Sequence, residues 1–300
     1  MKLIGCMAVR NEAWCLGLTL RAALQWCDEM VVRIHGSTDQ TEDIVYQITR
    51  EYSGRVGVYV SDNPEWAEMQ HRQQMLDEAR RKGATHIAIV DADELATGNI
   101  ITELRPGILN NLPKGHCLQL PMYQLRGSLD RYHSNGIWGN RWLSVAFADD
   151  PRLSWSGDKF HSREPGGMTL KPYRPIAHGQ GGSFHLWGLS ARRLRARHAM
   201  YKVTERLRWP DRAVREIELM YNDWRSPADN AAHYPEIKRY HEPWTFAPIP
   251  REWWTPYQHL LTAHLDPVDF SEPWQERAVR ELLQVHGHEH FKGLDLFGVA

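Results

Sequence analysis

Four short apolar runs alternate with segments of helical period over the first 90 or so residues, and this alternation constrains the fold more than any other feature. Leu3 to Val9 reads as a first strand. The helix after it runs to about Cys27, with Leu16, Leu20, Ala23, Leu24 and Cys27 on one face. Met30-Val31-Val32-Arg33-Ile34 is a second strand, followed by a turn at Gly36-Ser37-Thr38-Asp39. Asp39 and Glu42 have the spacing of a capping box for a second helix, which buries Ile44, Val45, Ile48 and Tyr52. Val56 to Ser61 is a third strand. Pro64, after Asp62-Asn63, suits the first position of a third helix carrying Met69, Arg72, Leu76 and Ala79 on one face. Lys82-Gly83 ends that helix, and a fourth strand runs to Val90. Such β-α-β-α-β-α-β alternation implies an α/β class with a parallel, doubly wound sheet and right-handed crossovers. No G-x-G-x-x-G follows the first strand and no G-x-x-x-x-G-K-[ST] occurs, which argues against a dinucleotide-type domain and a P-loop NTPase.

The fourth strand stops at Asp91-Ala92-Asp93-Glu94, three acids in four positions. Clustered carboxylates at the C-terminal end of a buried strand lie where open α/β sheets bind ligands. Hard cations such as Mg²⁺ or Mn²⁺ prefer oxygen donors, and one or two carboxylates plus substrate phosphates is a common arrangement. The other reading is a helix N-cap followed by solvated acids.

Composition narrows the class. The 300 residues are 42% hydrophobic and 24% charged, enough for a sizeable core, and a net charge of -1 supplies no global field toward nucleic acid or membrane. Cys6, Cys15, Cys27 and Cys117 form no C-x-x-C pair, and are expected to be buried thiols in a reducing, cytoplasmic compartment. No apolar run approaches membrane-spanning length, and Met1 to Gly5 lacks the long apolar region of a signal peptide.

Beyond the acidic cluster the pattern changes. Asn99 to Leu112 reads as a helix, and His116 to Leu125, Gly136 to Phe147 and Arg152 to Trp155 as strands. Asp149-Asp150-Pro151 reads as a turn. Ser190 caps a helix to about Trp209, another runs from Pro210 to roughly Trp224, and a last one from Pro273 to His286. Between Arg192 and Arg215 stand nine basic residues and two acidic ones. This is either a solvated helix face or a surface for an anionic partner: the donor diphosphate of a transfer reaction, a phospholipid surface or a DNA backbone. Trp209, Trp224, Trp244, Trp253 and Trp254 could stack on a base or sugar, or pack as core.

Four pieces, in order, resemble family 2 glycosyltransferases, which have the GT-A fold of nucleotide-sugar enzymes. Ala8-Val9-Arg10-Asn11-Glu12 resembles the family's opening strand and R-N-E loop. Gly36-Ser37-Thr38-Asp39-Gln40-Thr41 resembles its G-S-T-D-x-T turn, and Arg72 falls where the family has an arginine on the third helix. Asp91-Ala92-Asp93 resembles its D-x-D metal motif. The match covers about residues 1–125, with a looser echo at Phe184-His185-Leu186-Trp187 and the helix bearing Tyr201 and Lys202. The family's aspartates before G-S-T-D are replaced here by Ile34 and His35, and its His-Glu pair after the middle strands by Phe160-His161-Ser162-Arg163-Glu164.

The resemblance implies a metal-dependent, inverting transfer of a sugar from a nucleoside diphosphate, most simply a UDP-sugar, to an acceptor hydroxyl. It implies residues 1–188 as the GT-A catalytic domain and 189–300 as a helical and irregular C-terminal extension. Val9, Arg10, Asn11, Glu12, His35, Asp39, Arg72, Asp91 and Ala92 would meet the nucleotide sugar, and Asp93, Asp91 and His185 would hold Mn²⁺ or Mg²⁺. Asp158 and Glu164 are the candidates for the general base that takes the acceptor proton. On residue chemistry alone, Asp39 is equally a cap, Glu12 a first-turn acid, Arg72 a structural ion pair, and His185 a packed ring. The acceptor is open between a glycan, a small molecule and a modified DNA base. The rivals are a nucleotidyltransferase and a nucleic-acid-binding module on an inactive transferase scaffold.

Overall fold

A computed structural model describes residues 1–63, 66–168, 172–221, 226–236, 242–265 and 273–299. In chain order the elements are β1 (Leu3–Val9), α1 (Ala13–Ala23), β2 (Glu29–His35), α2 (Thr41–Glu51), β3 (Val56–Ser61), α3 (Glu68–Arg81) and β4 (His86–Ile89). There follow β5 (Glu94–Ala96), α4 (Ile101–Asn111), β6 (Cys117–Gln124), β7 (Arg131–His133), α5 (Gly136–Gly139), β8 (Trp142–Ala148) and β9 (Ser183–His185). The last are α6 (Ala191–Arg208), α7 (Val214–Met220), α8 (Pro227–His233), β10 (Phe246–Pro248), α9 (Gln258–His264) and α10 (Trp274–His286).

Two compact units share these elements. The first comprises Met1–Tyr123, Asn140–Leu186 and Ile249–Asp266, and the second Gln124–Gly139, Trp187–Pro248 and Pro267–Ala300. The first unit carries the expected α/β sheet, in the order β3-β2-β1-β4-β8-β6-β9-β5. β1 pairs in parallel with β2 and β4, and β2 in parallel with β3. β8 then joins β4 and β6 antiparallel. β1 and β4 are buried along almost their whole length, as strands covered by helices on both faces must be. Met69, Met75, Leu76 and Ala79 of α3 pack on Ile4, Cys6, Val31, Ile87 and Ile89 of the strands. The four cysteines are buried, free thiols.

Several boundaries differ from the sequence reading. α1 stops at Ala23 rather than near Cys27, because the Arg55 guanidinium takes over the carbonyls there: Nη2 donates to Leu24 O at 2.5 Å and to Cys27 O at 2.7 Å. α2 begins at Thr41 with Gln40 at its N-cap, so Asp39 and Glu42 are not in capping-box register. α3 begins at Glu68, after Ala67, and Pro64 lies outside the described residues. Gly136 to Phe147 is not one strand: Gly136, at φ +62, opens the helical turn α5, and β8 starts only at Trp142. Arg152 to Trp155 forms a single bridge, Ser154 to Gly166, because Asp150 holds the chain in a turn by accepting from the Arg152 N–H at 3.0 Å. α7 is shorter than expected, and Trp224 lies outside the described residues.

In the second unit α6 packs on α10 through Ala199, Val203, Val279 and Leu283, closed by Phe291 and Leu296. Ser190 caps α6 by accepting from the Arg193 N–H at 3.3 Å. The basic segment is largely engaged inside this unit. Arg192 makes a bidentate pair with Glu276 at 2.8 and 2.7 Å. Lys202 is fully buried, 2.8 Å from Glu218 and 3.0 Å from the Asp295 carbonyl. Arg206 donates to the His290 and Pro210 carbonyls at 3.2 and 2.6 Å, and Arg212 pairs with Glu205 while lying over the Trp209 ring. Arg215 pairs with Glu236. The charge that suggested a DNA surface is thus mostly compensated by internal carboxylates and carbonyls.

No described helix is long and apolar enough to cross a membrane.

Candidate active site

The C-terminal ends of β1, β2 and β4 lie side by side in the sheet, and the resembling motifs follow each of them. After β1 and its last, buried residue Val9, Asn11 adopts a left-handed conformation at φ +53. Its Oδ1 accepts from the backbone N–H groups of Thr38 at 2.6 Å and Asp39 at 3.2 Å, and its own N–H donates to Ser37 Oγ at 3.2 Å. Asp39 accepts from the N–H groups of Thr41 at 2.9 Å and Ala13 at 3.2 Å. The Glu12 N–H donates to Thr41 Oγ1 at 2.9 Å, and the Glu12 carboxylate accepts from Trp14 Nε1 at 2.6 Å. The R-N-E loop and the G-S-T-D turn are therefore one knitted structure, in which Asn11 and Asp39 hold the two loops together.

His35 ends β2 and is buried. Its ring packs on His71 of α3 at 4.6 Å and on Trp66 at 5.3 Å. Burial, then the charges of His71, Arg10 and Arg33, lowers the His35 imidazole to about 3. Burial and Arg33 lower His71 to about 4. Both rings are neutral at pH 7.

Beyond β4 the chain turns instead of continuing, with the Glu94 N–H donating to Asp91 O at 3.0 Å. From below, Thr19 of α1 fixes the turn by donating to Ala92 O at 2.6 Å. Asp91 accepts from Arg163 Nη1 at 2.5 Å and from Arg72 Nη2 at 3.4 Å. Burial favours its neutral form, but the Arg163 and Arg72 guanidiniums outweigh that, and its pKa falls. Its side chain is 37% exposed, so it remains open to a ligand. Glu94, behind it, is buried and is pushed up to about 7, chiefly by desolvation. Asp93 points elsewhere: it lies 3.6 Å from His185 Nε2, because β5 and β9 pair Glu94 opposite His185 and the Leu186 N–H donates to Asp93 O at 2.9 Å.

Arg163 escaped the sequence reading as a site residue. Its side chain is 13% exposed and every donor group is engaged: Nε to Ser144 O at 2.9 Å, Nη2 to Ile89 O at 2.9 Å, and Nη1 to Asp91 and Glu94. Glu68 was also missed. It accepts from Arg72 Nε at 3.0 Å and from the His161 N–H at 2.8 Å, where His161 is itself left-handed at φ +58. The i,i+4 spacing of Glu68 and Arg72 was a readable signal. Nothing local in the sequence pairs Arg163 with Asp91, 72 residues away. Of the two candidate bases, Glu164 is exposed and accepts from Ser144 Oγ at 2.5 Å and Gln119 Nε2 at 3.1 Å. Asp158 stands on the exposed stretch of the same loop.

Among the described residues, no three of His, Cys, Asp and Glu converge into a ready-made metal cage. The donor set nevertheless fits a cation completed by substrate. Asp93 and His185 face one another as one oxygen and one nitrogen donor, whereas Asp91 is held by two guanidiniums.

Parallel β3-β2-β1-β4, an antiparallel β8 beside β4 and an acidic turn closing β4 make the GT-A layout that the motifs imply. No protein-family model and no curated protein matches this sequence. The chain is similar to several solved structures. One is residues 1–349 of TarS from S. aureus, at 17% identity over 49% of this chain and 47% of that one, with a TM-score of 0.36. Another is GalNAc-T7 with UDP, GalNAc and Mn²⁺, at 14% identity over 78% and 58%, with a TM-score of 0.40. A third is glucosyl-3-phosphoglycerate synthase from Mycobacterium tuberculosis with Mn²⁺, UDP and phosphoglyceric acid, at 14% identity over 41% and 43%, with a TM-score of 0.31. The matches span 43% to 58% of the lengths of those three structures.

Proposed function

We propose that the protein is a glycosyltransferase of the family 2 type, moving a sugar from a nucleoside diphosphate to an acceptor hydroxyl with inversion. The observation that carries this reading is the turn after β4. It sets Asp91 against Arg72 and Arg163, and Asp93 against His185, beside the knitted Asn11–Asp39 loops. Asp93 and His185 would hold a divalent cation, Mn²⁺ or Mg²⁺, which supplies neutralising charge to a diphosphate leaving group. Asp91, ionised by its two guanidiniums and open to solvent, is suited to accept hydrogen bonds from ribose or sugar hydroxyls. Arg10 and the neutral His35 ring lie at the ends of β1 and β2, on the side where a base would approach, with a UDP-sugar as the donor to test first.

In the displacement, the acceptor oxygen forms a bond to the anomeric carbon as the bond from that carbon to the phosphate oxygen breaks. The leaving electron pair goes to the diphosphate, and the hydroxyl proton goes to a carboxylate. Glu164 is the better of the two candidates, since Ser144 and Gln119 fix its orientation while leaving it exposed. Asp158 is the alternative.

The test is nucleoside diphosphate release from a panel of UDP-, GDP- and TDP-sugars with Mn²⁺, Mg²⁺ or EDTA. Slow, metal-dependent release from one donor, lost in Asp93→Ala, is the expected result. No release from any donor, with no metal-assisted nucleotide binding, would overturn the proposal.

A further inference from the structure

On the antiparallel side of the first unit's sheet runs a row of polar groups that the acidic turn does not use. Gln119 of β6 and Ser144 of β8 are register partners, so they share a face, and Trp142, two residues before Ser144, lies on it too. The Gln119 carboxamide is engaged at both ends. Its Nε2 donates to Glu164 at 3.1 Å and to Ser144 Oγ at 3.2 Å, while its Oε1 accepts from Arg174 Nε at 2.8 Å. The Arg174 guanidinium lies over the Trp142 indole, 4.6 Å from the ring centroid. The His178 ring meets the same indole edge-on at 4.9 Å, and burial, then the charge of Arg174, lowers its pKa. The backbone beside Arg174 is pinned to β6: the Tyr173 N–H donates to Cys117 O at 2.7 Å, and the Gln119 N–H to Tyr173 O at 2.9 Å.

Arg174 is exposed, and among the described residues no carboxylate pairs with it. Its fixed contacts, an amide oxygen and an indole face, are both neutral. Stacking and the Nε hydrogen bond restrict its rotamers and engage Nε, which leaves the Nη groups of this exposed side chain as a fork. Such a fork matches the oxygens of a carboxylate or phosphate. At the other end of the same carboxamide stands Glu164, a candidate to receive the acceptor proton.

We propose that Arg174 seats an anionic group, carboxylate or phosphate, of the acceptor while an acceptor hydroxyl faces Glu164. This assignment rests on the transferase reading and adds to it the class of acceptor. The Gln119 side chain bridges Arg174 and Glu164, so the anion and the reacting hydroxyl belong to one compact acceptor unit. A neutral glycan would leave the fork without a partner.

The test follows the Arg174 Nε–Hε resonance by NMR during titration with inorganic phosphate and, separately, with acetate. Each titration is run with and without UDP and diamagnetic Mg²⁺, and the resonance is identified by its loss in Arg174→Gln. The expected result is a saturating shift of that resonance with either anion, still present in UDP and Mg²⁺, and about tenfold or more weaker phosphate binding in Arg174→Gln when wild type and variant are compared by isothermal titration calorimetry. Arg174→Lys, which keeps the charge but not the planar fork, is expected to fall between the two. A resonance that neither anion moves, or phosphate binding unchanged in Arg174→Gln, would overturn the assignment. Failure of the transferase reading shows itself separately, as the absence of any UDP-induced shift in the wild type.

Discussion

The acidic turn after β4 and the basic helix α6 each gather charge of mostly one sign, and the structure treats them in opposite ways. In α6 the charges are turned inward or paired with neighbours. Lys202 is fully buried against Glu218, Arg206 is tied to backbone carbonyls, Arg192 holds Glu276, and Glu205 of the helix is held by Arg212 just beyond its end. In the acidic turn Arg163 and Arg72 supply the counter-charges, and one carboxylate, Asp91, stays more than a third exposed despite these two guanidiniums. What separates the two is position. A helix long enough to pack on both sides can neutralise its charges against its own unit. A turn that closes a buried strand delivers its acids to the C-terminal edge of the sheet, the edge at which open α/β sheets bind ligands.

The sharpest way to break this contrast is to remove a charge on each side. Asp93→Ala is expected to lower metal-dependent donor turnover by about 100-fold or more while leaving the melting temperature nearly unchanged, read by diphosphate release and calorimetry. Equal loss of both would make Asp93 a structural acid like those of α6. Lys202→Met is expected to do the reverse. It leaves Glu218 buried without its cation, which costs roughly 3 kcal/mol or more of stability in urea unfolding, and Lys202→Met/Glu218→Leu should recover most of it. A double variant no more stable than the single would contradict the pairing.

Acid provides a third comparison. His35 and His71 are depressed to about 3 and about 4 from the ordinary 6.5, so on acidification the unfolded chain binds protons before the folded one. Their contribution is complete above 6.5 and is lost as pH falls from there through 4 and then 3, at up to about 1.4 kcal/mol per pH unit for each ring. Urea unfolding at several pH values should show that slope, and His71→Phe should flatten it; an unchanged slope would mean that the rings titrate normally. The smallest effect is expected at Arg192, half exposed in its pair with Glu276, where Arg192→Gln should cost about 1 kcal/mol or less. A loss as large as that of Lys202→Met would show that the surface pairs of α6 are as consequential as its buried one.

Legibility in the sequence followed how local each cause was. The parallel half of the sheet was readable because each strand and its helix carry their own period: Met69, Leu76 and Ala79 of α3 and the apolar run ending in β4 are buried as expected. Asp93 and His185 were readable as motif residues, and pairing of β5 with β9 brings them together. The helix ends were less readable. Arg55, from beyond α2, terminates α1 by capturing carbonyls, and no residue near Cys27 announces it. The antiparallel half was misread where Gly136 turns the chain and at Arg152 to Trp155, read as a strand although the turn anticipated at Asp150 reaches Arg152. Arg163 was invisible as a site residue because its partners lie on β4 and β8, and a lone arginine in a loop has no period or spacing to betray it. The basic segment from Arg192 to Arg215 misled in the other direction: nine basic residues among 24 suggested a surface, and only tertiary contacts reveal how many have partners.

The proposed cation site pairs Asp93 with His185 and is completed only by a bound nucleoside diphosphate. Electron paramagnetic resonance of Mn²⁺ tests it directly, by following loss of the free-ion signal on adding protein with and without UDP. Uptake that requires UDP in the wild type and disappears in both Asp93→Asn and His185→Ala is the result this account expects. Uptake indifferent to UDP, or retained in both variants, would contradict it.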